Sequence, residues 1–276
     1  MLKRVLTIAG SDSGGGAGIQ ADLKTFCAFG VYGMTAITAV TAQNTHEVIS
    51  ITALKPSMVY DQIKAIAEDI GVDAVKTGML FNAEIIEGVA KAIKDFSLPQ
   101  LVVDPVMVSK SGRYLLEPDA IGPFKEKIIP LAHVVTPNLN EAAILSGISV
   151  HNPEDMKQSA RIIHKLGPKF VLIKGGHLSS DEMVDILFDG EEDFIFSVQR
   201  QFTKNTHGTG CTYSAALVAL LGLGYSVLSA VKIARRYMDI VIQHSLELGK
   251  GYGPTNHLAP LFLKCGLNPE QGGLNW

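Results

Sequence analysis

Residues 205–211 read Asn205-Thr206-His207-Gly208-Thr209-Gly210-Cys211, a turn with two glycines that comes directly before the apolar run 212–221. That run is long and rich in Ala and Leu, which predicts a buried helix beginning at the turn. The first N–H groups of a helix have no partner within it, and the helix dipole adds partial positive charge. Because the two glycines let a ligand approach those groups closely, the stretch predicts an anion site, for phosphate above all.

Cys211 would lie in the same positive field as the anion. Such a field lowers the pKa of a thiol, so Cys211 is predicted to act as a proton acceptor or as a nucleophile. The alternative is an ordinary glycine-rich turn followed by a small buried cysteine. These seven residues alone are compatible with both interpretations.

The composition of the chain narrows the classes of protein. The 276 residues are 47% apolar and 18% charged, which indicates one or two domains with a large core and excludes disorder. The net charge of −3, without a basic stripe, argues against nucleic-acid binding. Three cysteines without C-x-x-C spacing argue for a reducing compartment. No apolar run approaches the ~20 residues of a membrane helix, and the first apolar run is too short for a signal peptide. We therefore expect a soluble cytoplasmic protein.

Strand and helix patterns alternate from one end of the chain to the other. This alternation predicts one domain over residues 1–276, with a mostly parallel sheet flanked by helices. A hairpin is predicted around Gly190, and an amphipathic helix over 227–246. The other predicted strands cover residues 5–9, 34–42, 48–54, 74–76, 101–107, 133–136 and 170–174.

Polar side chains follow several of these strands at their carboxyl ends, where open α/β sheets bind ligands. The amide of Gln43 offers an acceptor and a donor side by side, which matches an aminopyrimidine edge; the alternative is a turn amide. Asn138 and Glu141 share one helix face and, with oxygen ligands, suit a hydrated Mg²⁺; the alternative is a helix cap with a first-turn acid. Asp104 lies toward the carboxyl end of the predicted strand 101–107, where Pro105 blocks its regular continuation.

Lys174 ends another strand and is followed by two glycines, so it can reach a phosphate. An anion site, a lysine, oxygen ligands and a hydrogen-bonding pocket are the components that phosphoryl transfer requires. A thiol protease would need a histidine placed against Cys211, and the glycine turn leaves the direction of His207 open. The earlier glycine loop, residues 10–18, lacks the Lys-Ser/Thr of a P-loop. Asp22, just after that loop, has the alternative interpretation of a first-turn carboxylate.

Seven segments of the chain, in order, resemble one family. They are residues 10–22, 41–45, 75–79, 103–107, 135–141, 174–177 and 206–211. Together they resemble the bacterial hydroxymethylpyrimidine/phosphomethylpyrimidine kinases of thiamine biosynthesis, which belong to the ribokinase superfamily. The resemblance extends over nearly the whole chain, from about Val5 to His257.

This resemblance implies a ribokinase-like three-layer α/β sandwich that uses ATP and Mg²⁺ and forms a homodimer. It implies two phosphorylations, first of the hydroxymethyl oxygen of 4-amino-5-hydroxymethyl-2-methylpyrimidine and then of the resulting phosphate. Gln43 would read the pyrimidine edge, in a pocket that Gly10, Asp22 and Met79 line.

The resemblance also implies roles on the phosphate side. Residues 208–211 would form the anion hole, with Gly208, Gly210, Cys211 and Lys174 in catalytic positions. Lys174, Thr209 and Asn138 would contact ATP, and Asp104 and Glu141 would lie on the metal side.

By the same resemblance, Cys211 would stand where sugar-kinase relatives carry an Asp base. We hypothesise that the thiol positions the substrate and is a modest base, and that a neutral thiol repels a phosphorylated substrate less than a carboxylate does. Two rival functions remain: a pyridoxine/pyridoxal kinase of the same superfamily, and a non-catalytic small-molecule sensor. The segment 109–113 is predicted to be a mobile loop and a candidate lid, whereas the turn-like segment 251–257 has no predicted role.

Overall fold

An eight-stranded sheet organises the chain in this computed structural model, which describes residues 1–109, 111–176, 182–266 and residue 268. The strand order is β10-β9-β8-β7-β6-β5-β1-β2. All neighbours from β8 to β2 are parallel, and β8, β9 and β10 pair antiparallel. The strands of this sheet are β1 Arg4–Ala9, β2 Tyr32–Ile37, β5 Ala74–Thr77, β6 Leu101–Val103, β7 Val134–Val135, β8 Phe170–Ile173, β9 Glu182–Phe188 and β10 Asp193–Gln199. The predicted mostly parallel sheet is therefore confirmed.

Helices cover both faces of this sheet, which gives three layers. Side chains alternate between the faces, so Val5 packs into one core and its neighbour Leu6 into the other. One face carries α1 Gly18–Ala28, α7 Thr209–Gly222 and α8 Val227–Gln243. The opposite face carries α2 Pro56–Asp69, α3 Ala83–Asp95, α4 Ile121–Lys127, α5 Leu139–Ser146 and α6 Pro153–His164. The sandwich predicted from the resemblance is confirmed.

Helix α7 lies against the middle of the sheet and is buried from Thr212 to Gly222. It contacts β1, β5 and β6 on the sheet and α1 and α8 beside it. A helix surrounded in this way has no polar face, which explains why its sequence is apolar all round. The sheet therefore fixes the position of the turn that opens α7.

The prediction of one strand over 34–42 was wrong, because the chain leaves the sheet at Thr38. The Thr38 N–H donates to Ala9 O at 3.0 Å, and its hydroxyl donates to Met79 O at 2.6 Å. After this point β3 Ala39–Gln43 pairs with β4 Val48–Ala53 in a separate antiparallel hairpin. Gln43 therefore belongs to a two-stranded hairpin rather than to the main sheet.

Other boundaries differ from the predicted ones by a few residues. Strand β6 ends at Val103, since the second residue after it is Pro105, which has no N–H for the ladder. Helix α8 ends at Gln243, and a short unpredicted helix, α9 Ala259–Lys264, packs against it. Within the described ranges, none of the helices combines the length and the apolarity that crossing a membrane demands.

Candidate functional site

The turn before α7 is packed against the first glycine loop. Gly208 is the residue that caps the helix, and its φ of 77° is in the left-handed region. A Cβ at Gly208 would overlap the carbonyl oxygen of Gly16, so only glycine fits. No described side chain caps the helix, and the Thr209 N–H makes only a long hydrogen bond, 3.5 Å, to Thr206 O. The first turn of α7 can therefore offer N–H groups to another acceptor.

Lys174 and Asp104 lie beside this helix start. The Lys174 Nζ is 2.9 Å from Asp104 Oδ1, and Ser214 Oγ donates to Asp104 Oδ2 at 2.9 Å. A Cβ at Gly210 would lie 3.6 Å from Lys174 Nζ and 4.0 Å from Asp104 Oδ2. The structure thus places an ammonium group and a carboxylate beside Gly210, in the first turn of α7.

Asp104 and Lys174 each keep the other in its charged form, although both side chains are largely buried. Burial raises the pKa of Asp104, but the positive charges of Lys174 and Lys76 outweigh it and hold that pKa below its ordinary value. Burial lowers the pKa of Lys174, and the carboxylates of Asp104 and Glu141 raise it above its ordinary value. Lys174 is therefore a cation at neutral pH, as a phosphate contact requires.

Asn138 and Glu141 cap α5 in this structure. Asn138 Oδ1 accepts from the Glu141 N–H at 3.0 Å, and Glu141 Oε2 accepts from the Asn138 N–H at 2.8 Å. This is the helix-cap alternative, and the predicted metal role of Glu141 stays a prediction. Burial raises the pKa of Glu141 to about 7, against the attraction of Lys174.

A Mg²⁺ ion beside Asp104 and Glu141 would need further ligands from a nucleotide and from water. Among the described residues there is no group of three or more His, Cys, Asp and Glu side chains that could hold a metal ion. Mg²⁺ in kinases is bound by one or two carboxylates together with substrate phosphates. Asp104 and Glu141 provide such carboxylates, and each side chain is already hydrogen-bonded within the protein.

The predicted pyrimidine side lies close to the same turn. Gln43 Nε2 is 3.4 Å from His207 Nε2, and His207 directly precedes Gly208. A Cβ at Gly10 would lie 3.0 Å from Met79 Sδ, so these two predicted pocket residues are neighbours. The structure therefore brings Gln43 to the turn of residues 205–211 that is predicted to bind an anion, here called the anion turn, and Gly10 to Met79.

Asp22 differs from its predicted placement. It is fully buried, accepts from Thr7 Oγ1 at 2.7 Å, and pairs with the buried Lys76 Nζ at 2.9 Å and 3.0 Å. The carboxylate contacts protein groups rather than open space, because it neutralises a lysine that burial would leave unpaired. It is also not a first-turn residue, since α1 begins at Gly18.

The prediction of a lowered pKa for Cys211 was wrong. Burial raises the pKa of this thiol to about 11, and the carboxylates of Asp22 and Asp104 add to the effect. The charge of Lys76 and the Gly18 N–H oppose the rise but do not cancel it. Cys211 is therefore a neutral thiol near pH 7, which favours a positioning role over that of a base.

Sequence reasoning missed the pair of Asp12 and His207. Asp12 accepts from the N–H groups of Gly14, Gly16 and Ala17 at 2.8, 3.0 and 2.8 Å, and its Oδ2 is 2.8 Å from His207 Nε2. An aspartate before small residues is a signal for the local turn. Nothing local signals a partner 195 residues away.

The segment 251–257 joins the two sides of the site. Tyr252 N–H donates to Thr45 O at 2.9 Å, and His207 N–H donates to Gly253 O at 3.0 Å. The end of the Gln43 strand and the anion turn are thus bound to one segment. The sequence alone suggested no role for it.

The candidate lid contacts the β3–β4 hairpin. Arg113 donates to Val48 O and Ile49 O, both at 3.1 Å. Lys110 of this loop lies outside the described residues, as does His177 of the Lys174 segment.

A mostly parallel sheet between two helical layers, with a glycine turn and a lysine at one edge, defines a ribokinase-like α/β kinase fold. The chain belongs to the phosphomethylpyrimidine kinase family, whose model matches residues 12–256. Membership rests on most of the chain and includes both sides of the site.

Relatives and a solved structure agree with this membership. The hydroxymethylpyrimidine/phosphomethylpyrimidine kinase of Bacillus subtilis is 46% identical over 271 residues, which is 98% of this chain and 99% of that protein. The thiamine biosynthesis bifunctional protein ThiED of Geobacter sulfurreducens is 48% identical over 254 residues, which is 92% of this chain and 52% of that protein. This chain therefore spans about half the length of that bifunctional relative. The ADP complex of Bacillus subtilis pyridoxal kinase is 41% identical, with a TM-score of 0.88 over 95% of this chain and 100% of that one.

Proposed function

We propose that this protein phosphorylates 4-amino-5-hydroxymethyl-2-methylpyrimidine with ATP, and then phosphorylates the monophosphate to the diphosphate, in thiamine biosynthesis. The observation that carries the proposal is the approach of Gln43 to His207, within 3.4 Å, at the turn that opens α7. The amide that would read the base thus lies at the turn that would bind the anion, with Lys174 beside the same helix start. The family membership supports the choice of substrate.

The residues of the chain would act mainly by holding charge in place. The amides of Thr209, Gly210 and Cys211 and the ammonium of Lys174 would bind phosphate oxygens, and Asn138 would lie on the nucleotide side. Mg²⁺ held by the ATP phosphates near Asp104 and Glu141 supplies further charge neutralisation when bound. Catalysis of phosphoryl transfer is mostly such positioning and electrostatic stabilisation.

Cys211 would orient the acceptor rather than remove its proton. The transition state of phosphoryl transfer is loose, so the attacking oxygen needs little prior deprotonation. Since burial keeps the thiol neutral, it also adds no negative charge near a phosphorylated acceptor. The same site can then take the hydroxymethyl group first and its phosphate second.

We further propose that residues 1–276 form one kinase domain that works as a homodimer in the cytoplasm. The single eight-stranded sheet, with strands from both halves of the chain, supports one domain. Val40 and Ile49 on the β3–β4 hairpin are 50% and 58% exposed, which offers apolar surface to a second copy. Light scattering would test the dimer.

A substrate panel with Mg-ATP tests the proposed activity. We expect ATP consumption with hydroxymethylpyrimidine and with its monophosphate, and little with ribose. Pyridoxal as the preferred acceptor would favour the second candidate, for which the similarity to a pyridoxal kinase structure is the supporting observation. Nucleotide binding without ATP consumption on any acceptor would favour the sensor.

A further inference from the structure

The turn of residues 174–176 is held at both ends by hydrogen bonds to its backbone. The N–H of its first residue donates to Pro137 O at 2.9 Å, and Arg200 donates to its last carbonyl oxygen at 2.9 Å. In the middle, a Cβ at Gly175 would overlap the carbonyl oxygen of Val184. The backbone of Gly175 thus lies directly against β9, where its N–H group needs an acceptor.

That acceptor is the side chain of Asp185 on β9. Asp185 is 2% exposed, and its Oδ1 accepts from the Gly175 N–H at 3.0 Å. Its Oδ2 faces the guanidinium of Arg235, on α8, at 3.5 Å. Arg235 is also buried, and its NH2 donates to Asp239 at 2.9 Å. Three charged side chains, those of Asp185, Arg235 and Asp239, therefore meet on the β9 side of the turn, opposite its contact with Pro137.

The same arginine contacts the helix that opens at the anion turn. The guanidinium carbon of Arg235 lies 5.7 Å from the centroid of the Tyr213 ring, and Tyr213 is two residues after Cys211 on α7. Arg235 thus bridges the Lys174 turn, through Asp185, and the first part of α7. Lys174 and the amides of α7 are the two groups to which we assign phosphate contacts.

We propose that Asp185 and Arg235 form a positioning pair that fixes the Lys174 turn relative to the start of α7, and so sets the affinity for the nucleotide phosphates. The inference rests on the proposed function, because it uses the role assigned there to Lys174. A buried ion pair is not required for stability, since apolar residues of similar size often replace one without loss. An apolar replacement here would leave the Gly175 N–H without an acceptor, and a displacement of about 1 Å at a catalytic group lowers rates by roughly 100-fold.

The test compares single and double variants of the pair. We expect Asp185→Leu to raise the KM for ATP and the Kd for ADP by about 10-fold or more, and to leave the KM for the acceptor unchanged. Asp185→Asn keeps a carbonyl for the Gly175 N–H, so it should raise both constants less. The double variant Asp185→Leu/Arg235→Met also removes the unpaired arginine charge, so we expect it to be thermally more stable than Asp185→Leu. It still leaves the Gly175 N–H without an acceptor, so we expect it not to regain nucleotide affinity.

A matched control is the ion pair of Arg161 on α6 with Asp193 on β10, the strand that pairs with β9. Its two side chains are 2.7 Å apart and more exposed than those of Asp185 and Arg235. Arg161→Met/Asp193→Leu should leave the KM for ATP and the Kd for ADP unchanged.

Different results would contradict the positioning role of the pair and the proposed function. If the double variant regains stability together with native ADP affinity, the pair is only structural and the inference is wrong. ADP binding by calorimetry needs no acceptor, so it reports on the pair even if the preferred acceptor is not a pyrimidine. A native protein that binds neither ADP nor ATP would overturn both the proposed function and this inference.

Discussion

The proposed phosphate side and the proposed pyrimidine side of the site are constructed differently. Lys174 and Asp104 follow strands of the eight-stranded sheet, and their charges are paired and largely shielded from solvent. Gln43 belongs to β3 of a two-stranded hairpin, a strand in which buried and exposed side chains alternate, and its own half-exposed side chain makes only contacts of 3.4 Å with other described residues. A rigid frame suits positioning of charge, whereas a peripheral hairpin can change its reading residue without disturbing the core. Changes to the backbone on the phosphate side should therefore slow the reaction with every acceptor, and changes on the pyrimidine side should alter the choice of acceptor.

The largest effect is expected at the anion turn. Gly208→Ala places a methyl group against the carbonyl oxygen of Gly16 and strains a left-handed residue. The turn must shift, and kcat/KM for ATP should fall by about 100-fold or more with every acceptor. Steady-state kinetics with two acceptors would measure the loss.

Gly224→Ala is the matched control for that variant. Gly224 has a φ of 94°, but a Cβ there would meet no atom within 4 Å. Its backbone strain should cost about 1 kcal/mol of stability and leave the kinetics unchanged. Equal kinetic losses in the two variants would show that strain, not the position of the turn, determines the rate.

A smaller and selective effect is expected on the pyrimidine side. Gln43→Met removes a donor and an acceptor, so turnover of hydroxymethylpyrimidine should fall by roughly 10- to 100-fold. Pyridoxal turnover should fall much less. The ratio of the two kcat/KM values is the measurement, and exposed Gln158→Met on α6 is the control. An equal loss for both acceptors would remove the basis for assigning base recognition to Gln43.

Cys211 should separate the two phosphorylations. Cys211→Ala should slow both by only a few-fold, because a thiol that stays protonated is not an essential base. Cys211→Asp adds a negative charge, which should slow phosphorylation of the monophosphate more than that of the alcohol. Both steps are followed in separate assays at one pH. A second step as fast in Cys211→Asp as in the native protein would contradict the charge argument.

The smallest effect concerns the stability contributed by Glu141. Its raised pKa, about 7, means that the native state binds this proton more tightly than the unfolded state does. The contribution is therefore complete below the unfolded pKa and is lost as the pH rises through the native one. Glu141→Gln keeps the capping box without the charge. The Tm of the variant minus the Tm of the native protein should therefore be a few degrees larger at pH 8 than at pH 5. A difference independent of pH would refute the shift.

The local sequence pattern predicted those structural elements that depend on residues close together in the sequence. The parallel sheet, the hairpin around Gly190 and the helix after Cys211 follow from apolar periodicity and glycine positions, and the resemblance supplied the order of the segments. The break at Thr38 could not be predicted in this way, because it depends on Ala9 and Met79, which are distant in sequence. The same holds for Asp22, whose environment is decided by Lys76.

Electrostatic predictions failed where burial outweighed a local field. The start of α7 is predicted to favour an anion, yet Cys211 is so enclosed, with Asp22 and Asp104 nearby, that its pKa rises. Sequence indicates which residues begin a helix, whereas desolvation depends on the whole fold. The pairing of Asp185 with Arg235 behind the Lys174 turn is of the same kind, since it joins a strand to a helix 50 residues later.

The most direct test is a crystal structure of the protein with ADP and hydroxymethylpyrimidine bound together. We predict that the β-phosphate lies within hydrogen-bond distance of the amides that open α7 and of Lys174, with the aminopyrimidine edge on Gln43 in the same cleft. A nucleotide bound away from that turn, or a pyrimidine bound without contact to Gln43, would contradict the account.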